Sequence, residues 1–211
     1  MQLIRPFGPT IGLAKVPDNI MSMLLDVTDR VLNDISLQDS IQFNFHDRPS
    51  LTYPLKKQFK ITNVIPKEVY SWAQFEILNY YNYTAETIGL SALEEQSEDN
   101  ILIPHWWFNS MGIQEDLPPH SHHGDISCIL YCKIPEDSLP HDGLISFINS
   151  SVPDNLELPL IQLKPEEATL LIFPSRLMHS VTSIHTEKER RSISFNSFFI
   201  NNKKKLSNVK R

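Results

Sequence analysis

From Ile101 onward the chain breaks into short runs rich in β-branched and aromatic residues, separated by turns that carry proline or glycine. Ile101–Trp107, Asp125–Ile134, Leu144–Asn149, Ala168–Phe173 and Ser192–Ile200 read as strands. Turns fall at Pro135–Gly143, Pro153–Pro159 and Pro174–Met178. These are short strands at regular spacing after two helices. This half must therefore bury its apolar residues by pairing and stacking strands.

The first hundred residues differ. A short extended piece, about Leu3 to Ala14, is punctuated by Pro6, Gly8 and Pro9. Asp18 follows Pro17 as a candidate cap for a helix whose stripe is Ile20, Leu24, Val27 and Val31, ending near Asn33. Ser36 to Lys60 is polar, and Pro49 and Pro54 argue for loop or edge structure. Pro66 opens a second helix, with Val69, Trp72, Ala73, Ile77, Tyr80, Tyr81 and Thr84 on one face; an aromatic stripe at that spacing packs against a sheet. Ser91 to Asn100 is an acidic linker and the tail KKKLSNVKR is basic. The expected architecture is α+β and mainly β: an antiparallel sandwich or jelly roll braced by helices. It forms one domain over 1–211, with a helical support region (1–100), a jelly-roll core (101–200) and the tail (201–211).

Charge excludes some functions. The formal net charge of the 211 residues is −6, which argues against a broad nucleic-acid footprint. No apolar run reaches the length of a membrane span, and no basic segment followed by an apolar one opens the chain. The two cysteines, Cys128 and Cys132, read as buried thiols of a reducing compartment, so a cytoplasmic setting is expected.

Histidine is the unusual residue. Three of eight fall at His120, His122 and His123, within Pro118-Pro-His-Ser-His-His-Gly-Asp125. In extended backbone, residues two apart share a face, so His120 and His122 can reach one metal ion while His123 points away. Imidazole suits iron, zinc, copper or nickel. His179 lies 59 residues beyond His120, just after the strand ending Phe173-Pro-Ser, where a jelly roll would gather ligands at its mouth. Eleven residues later, Arg190-Arg-Ser-Ile-Ser-Phe-Asn196 alternates. Arg190, Ser192, Ser194 and Asn196 share one face, and Arg191, Ile193 and Phe195 the other. A guanidinium with a hydroxyl beside it inside a barrel is built to grip a carboxylate. The other reading is a surface arginine pair near Glu187 and Glu189.

In this order the motifs resemble the iron(II)/2-oxoglutarate-dependent oxygenases. The nearest likeness is to the oxygenase subgroup common in bacterial viruses and marine bacteria. The matching residues are Trp106/Trp107, His120-Ser-His122, Ser127 to Tyr131, Phe173 to Val181 and Arg190 to Asn196, with FGPTIGLAKVP similar to that group's start. The resemblance implies a double-stranded β-helix (a cupin-like jelly roll) with iron(II) at its mouth. It further implies 2-oxoglutarate as cosubstrate, dioxygen as oxidant, and a hydroxylated product with succinate and carbon dioxide. His120 and His179 would hold iron; Arg190, Ser192 and Tyr131 would take the distal carboxylate of 2-oxoglutarate. Ser194 and Asn196 come second, and Trp106, Trp107 and Ile129 would wall the pocket. A substrate would be a small molecule or a protein side chain, with no membrane partner.

The chain departs from the family at two places. Most members have a carboxylate where His122 stands. The third position is then His122 itself, a water, or Asp125 from the following turn. Glu167 stands where a glycine precedes the Phe-Pro-Ser strand. The missing carboxylate keeps two other readings open: a non-catalytic or degenerate metal- or ligand-binding jelly roll, and a three-histidine metalloenzyme that does not use 2-oxoglutarate.

Overall fold

A computed structural model describes residues 1–4, 8–40, 57–87, 97–148 and 160–200. The basic tail, most of the acidic linker and the turn at Pro153–Pro159 lie outside them. In chain order the elements are β1 (Gln2–Ile4), β2 (Ile11–Lys15), α1 (Asp18–Asn33), β3 (Asp39–Ser40), β4 (Gln58–Lys60) and α2 (Lys67–Thr87). Then come β5 (Ile101–Met111), β6 (Leu117–His120), β7 (Ile126–Lys133), β8 (Ile145–Ile148), β9 (Leu160–Leu163), β10 (Thr169–Pro174), β11 (Met178–Val181) and β12 (Arg190–Phe199).

The strands form two antiparallel sheets. The major sheet runs β1-β2-β10-β7-β12-β5-β4-β3 and the minor sheet β6-β11-β8-β9. From β5 onward the chain alternates between them except at the β8–β9 pair: β5, β7, β10 and β12 lie in the major sheet and β6, β8, β9 and β11 in the minor. That winding is a double-stranded β-helix. The N-terminal region is more than helical support, because β1 to β4 extend the major sheet at both edges.

Period-two alternation splits the core. Cys128, Leu130, Leu170, Ile172, Ile193, Phe195, Trp106 and Phe108 point to the helix side. There they pack with Ile20, Leu24, Val27 and Val31 of α1 and Val69, Ala73, Ile77 and Tyr80 of α2. Ile129, Tyr131, Leu171 and Phe173 point the other way, onto Ile145 and Phe147 of the minor sheet. The face of α2 that carries Val69, Ala73, Ile77 and Tyr80 is thus core, with Trp72 partly buried against it, and Cys128 and Cys132 are buried free thiols. No helix among the described residues is long and apolar enough to cross a membrane.

Arg191 locks α1 to the sheet. Its guanidinium, 2% exposed, donates to Glu189, Asp29 and the Thr28 hydroxyl. The pairing with Glu189 expected of a surface pair therefore belongs to Arg191 and not to Arg190.

Several local expectations are corrected. Asp18 does not cap α1. Pro17, with extended backbone, occupies the cap position, so Asp18 is the first helical residue and acts on the helix dipole instead. The strand from Ile101 runs on to Met111, because β12 and β4 pair with it on both sides through Asn109 and Ser110. β3, β4 and β9 are strands that the sequence pattern does not announce. The left-handed residue before the Phe-Pro-Ser strand is Ala168 (φ 54°), and the Glu167 carboxylate accepts the Ile134 N–H at 2.8 Å.

Candidate metal centre and anion pocket

The first site is built where β6 meets β11. His120 and His179 are register partners on these antiparallel strands, and their rings are 4.3 Å apart. His122 lies past the end of β6, so shared strand alternation is not what brings it in. Its N–H donates to the Ser175 carbonyl at 2.9 Å, and its ring stands 5.0 Å from His120 and 5.1 Å from His179. One nitrogen from each of the three lies within 4.8 Å of the others.

The Phe173-Pro-Ser175 turn braces that loop. Ser175 donates its N–H to the Asp125 carbonyl, and the Asp125 N–H donates to Ser197 of β12. The Ser127 hydroxyl reaches both Ser175 Oγ (2.9 Å) and Asn196 Oδ1 (2.7 Å). Gly124 completes the turn with φ +133°, and a Cβ there would sit 3.0 Å from the Ser197 carbonyl. Asn196 is thereby tied through Ser127 to the turn that holds the histidine loop.

Hydrogen bonding fixes two of the rings. His120 Nδ1 lies 2.7 Å from the Pro118 carbonyl, and His179 Nδ1 2.9 Å from that of Leu177. A carbonyl only accepts, so each Nδ1 carries the proton and each Nε2 keeps a free lone pair. Burial lowers all three histidine pKa values, to about 4 for His122 and about 3 for His179, where neighbouring imidazoles add repulsion, while at His120 the hydrogen bond to the Pro118 carbonyl opposes the shift. Neutral, converging imidazoles are the donor set of a borderline transition metal.

Asp125 is not brought to the cluster. Its carboxylate Oδ2 accepts the Phe199 N–H at 2.8 Å, on the far side of the turn. His123 is exposed.

Deeper between the sheets lies Arg190, 3% exposed. It has no carboxylate partner among the described residues. Nη1 contacts Met111 Sδ and Ser192 Oγ at 3.4 Å each, and Nη2 contacts the Gly143 carbonyl at 3.4 Å. Its Nε has no partner, and neither does the Tyr131 hydroxyl, whose ring centroid is 5.2 Å from the guanidinium carbon. Burial pulls the Arg190 pKa down and pushes the Tyr131 phenol up to about 12, while their mutual attraction opposes both shifts. A buried cation with long, weak contacts and orphaned neighbouring donors fits an anion that brings its own oxygens.

Three residues that the sequence did not single out complete this wall. Thr169, register partner of Tyr131, is buried with its hydroxyl unpartnered. Asn109 pairs in register with Ser192 and accepts from Gln58 Nε2 at 2.6 Å. Gly143 (φ +59°) gives Arg190 its space: a Cβ there would come within 2.7 Å of Nε. The alternation of β10 and β5 could have found Thr169 and Asn109; only the tertiary contact finds Gly143.

Trp106 is not a pocket residue. It faces the helices and stacks on Phe195 at 4.0 Å, whereas Trp107 on the opposite face lies 5.6 Å from His122. Ile129 lines the space between the sheets, and the Phe147 and Phe173 rings approach His179 at 6.1 and 4.9 Å. The histidines and the arginine thus share one largely apolar interior.

Known proteins share this fold. No curated protein sequence matches the chain. A prolyl-4-hydroxylase from Pseudomonas putida superimposes with a TM-score of 0.53 at 14% identity, covering 90% of this chain and 92% of that one. HygX from Streptomyces hygroscopicus, solved with nickel and 2-oxoglutarate bound, gives 0.53 at 9% identity over 91% and 83%. The non-heme alpha ketoglutarate dependent epimerase SnoN from nogalamycin biosynthesis gives 0.60 at 13% identity over 89% and 76%. At such identities the likeness is one of fold. In sequence, residues 105–196, from β5 to β12, match the family described as "Putative 2OG-Fe(II) oxygenase". The chain thus has the fold of the 2-oxoglutarate oxygenases, and the part that carries both the histidines and Arg190 matches the model of one family of them.

Proposed function

We propose that the protein is an iron(II)- and 2-oxoglutarate-dependent oxygenase that hydroxylates a small molecule or a protein side chain. The observation that carries this reading is Arg190, a buried guanidinium with an unpartnered Nε beside an unpartnered phenol, in the same interior as three neutral imidazoles. Hydrolysis or cofactor-free oxygenation at a three-histidine metal needs no carboxylate clamp. A degenerate scaffold would have no reason to keep a buried cation without a counter-charge.

His120, His122 and His179 would hold iron(II), the first two presented by β6 and its following loop, the third by β11. Three neutral ligands leave the metal one negative charge short of a site with a carboxylate, which makes the protein's own anion pocket more important. Iron(II) with 2-oxoglutarate supplies the oxidant, as decarboxylation to succinate accompanies activation of dioxygen. Arg190 would orient the distal carboxylate of 2-oxoglutarate in bidentate fashion, with Ser192 and Tyr131 adding hydroxyl bonds. Ile129, Leu171, Phe147 and Phe173 exclude water from the space between metal and clamp. Trp107, next to His122, borders the mouth where substrate would enter.

The test is succinate release from 2-oxoglutarate by the purified chain with iron(II), a reductant and air. Slow release without substrate, lost in His179→Ala and restored in Arg190→Ala only at high 2-oxoglutarate, is the expected result. Release that is unchanged in both variants would overturn the proposal.

A further inference from the structure

A second group of ligating side chains sits away from the histidine cluster. His141 and Asp142 lie on the β7–β8 connection and His185 on the β11–β12 connection; one donor atom from each lies within 4.8 Å of the others. Asp142 Oδ1 is 2.6 Å from His185 Nδ1 and 4.0 Å from His141 Nε2, and the two rings stand 5.2 Å apart, edge to face.

The setting is unlike a chance surface cluster. The Asp142 side chain is only 2% exposed, while the imidazoles are 64% and 48% exposed. The other carboxylate oxygen, Oδ2, accepts the Leu139 N–H at 3.0 Å, which fixes its orientation. The two loops are stapled by bonds that involve none of the three candidate ligand atoms. The Thr182 hydroxyl donates to the His141 carbonyl (2.6 Å) and accepts from Leu144 N–H (2.9 Å). Thr182 N–H donates to the Leu144 carbonyl, and the Thr186 hydroxyl to Asp137. The donors therefore stand on a frame that closes without an ion, as a preorganised site requires.

We infer that His141, Asp142 and His185 form a second divalent-cation site, of the zinc class, on the rim of the fold. Two imidazoles and one carboxylate suit zinc, nickel, copper or iron(II) over calcium or magnesium. The buried, backbone-anchored carboxylate supplies the negative charge, and the exposed side leaves room for water as a fourth ligand. On binding, the His185–Asp142 hydrogen bond is replaced. The His185 ring takes the Nε2–H tautomer and presents its Nδ1 lone pair to the ion. An ion here would also brace the Asp142–Gly143 step against which Arg190 packs.

The test is an equilibrium titration of the metal-stripped full chain with zinc, and in parallel with cobalt(II) read by its visible spectrum. His141 and His185 are exposed, so their alanine variants keep the fold, checked by circular dichroism. The wild type should bind two equivalents, His185→Ala and His141→Ala one, and His179→Ala one. The doubly substituted His179→Ala/His185→Ala should bind none. If His185→Ala binds as many equivalents as the wild type, or His179→Ala binds none, the second site does not exist. If His179→Ala keeps both equivalents while His185→Ala loses one, the rim site stands and the assignment of the first centre fails instead.

Discussion

Arg190 and Tyr131 lie against each other between the two sheets, the guanidinium carbon 5.2 Å from the ring centroid, and each leaves a buried polar atom without a partner. In a finished core such a pair would be costly, because an unpaired buried donor forfeits its hydration and an unpaired buried charge forfeits more. It is stable economy only if an anion arrives.

Replacing that cation measures the anion directly. Arg190→Met keeps most of the side-chain volume and removes the charge. A charge-assisted hydrogen bond contributes about 2 kcal/mol, so 2-oxoglutarate should bind roughly 30-fold more weakly. Binding of iron(II) should be unchanged, since the histidines do not touch Arg190. Calorimetric titration with each component in turn separates the two effects.

Gly143→Ala should damage the same pocket from outside it. The residue has φ +59° and its added Cβ would lie 2.7 Å from Arg190 Nε. The left-handed conformation alone costs an alanine about 1 kcal/mol, and the clash displaces the guanidinium. Both a lower unfolding midpoint and weaker 2-oxoglutarate binding are expected, with the iron affinity kept.

The third metal ligand is decided by two single variants. His122→Ala should lose most of the iron affinity, while Asp125→Ala should keep it, because the Asp125 carboxylate is engaged by the Phe199 N–H. Iron(II) titration of both variants is the measurement. A loss in Asp125→Ala with His122→Ala intact would reverse the assignment.

Acid should loosen the tie between α1 and β12. The Arg191 hydrogen bond holds the Asp29 carboxyl below its ordinary value. For Glu189, burial pushes the pKa up, but hydrogen bonds from Arg191 and Ser110 outweigh it and the net shift is down. Folded pKa values below the unfolded ones mean that the unfolded chain takes up protons first as pH falls. The stabilisation is full above about pH 5 and is lost through the carboxylate range below it. Urea midpoints measured against pH should fall along that limb in the wild type and fall less steeply in Arg191→Met.

Much of this was legible in the sequence, for physical reasons that differ by residue. The alternation of Arg190 to Asn196 is a two-residue period, and a strand buried on both sides must obey it; Ile193 and Phe195 went to the helices, Arg190 and Ser192 to the interior. His122 was singled out by a strand argument, yet it reaches the cluster through a turn held by Ser175, a contact between residues 53 positions apart that no local period encodes. Trp106 turns to the helices and not to the pocket: a tryptophan beside a polar site suits either face, and only the register with Phe195 decides. β9, four residues at the edge of the minor sheet, pairs with β8 alone, so too few of its side chains are buried to leave a pattern. Gly143 and the His141–Asp142–His185 group depend on two loops meeting, which spacing along the chain does not report.

The most direct measurement is an anaerobic titration of the metal-free protein with iron(II) and then 2-oxoglutarate, followed by visible absorbance. A weak charge-transfer band that requires both additions, vanishes in His179→Ala and needs far more 2-oxoglutarate in Arg190→Met is the predicted result. Tight iron binding with no band at any concentration of 2-oxoglutarate would contradict the account.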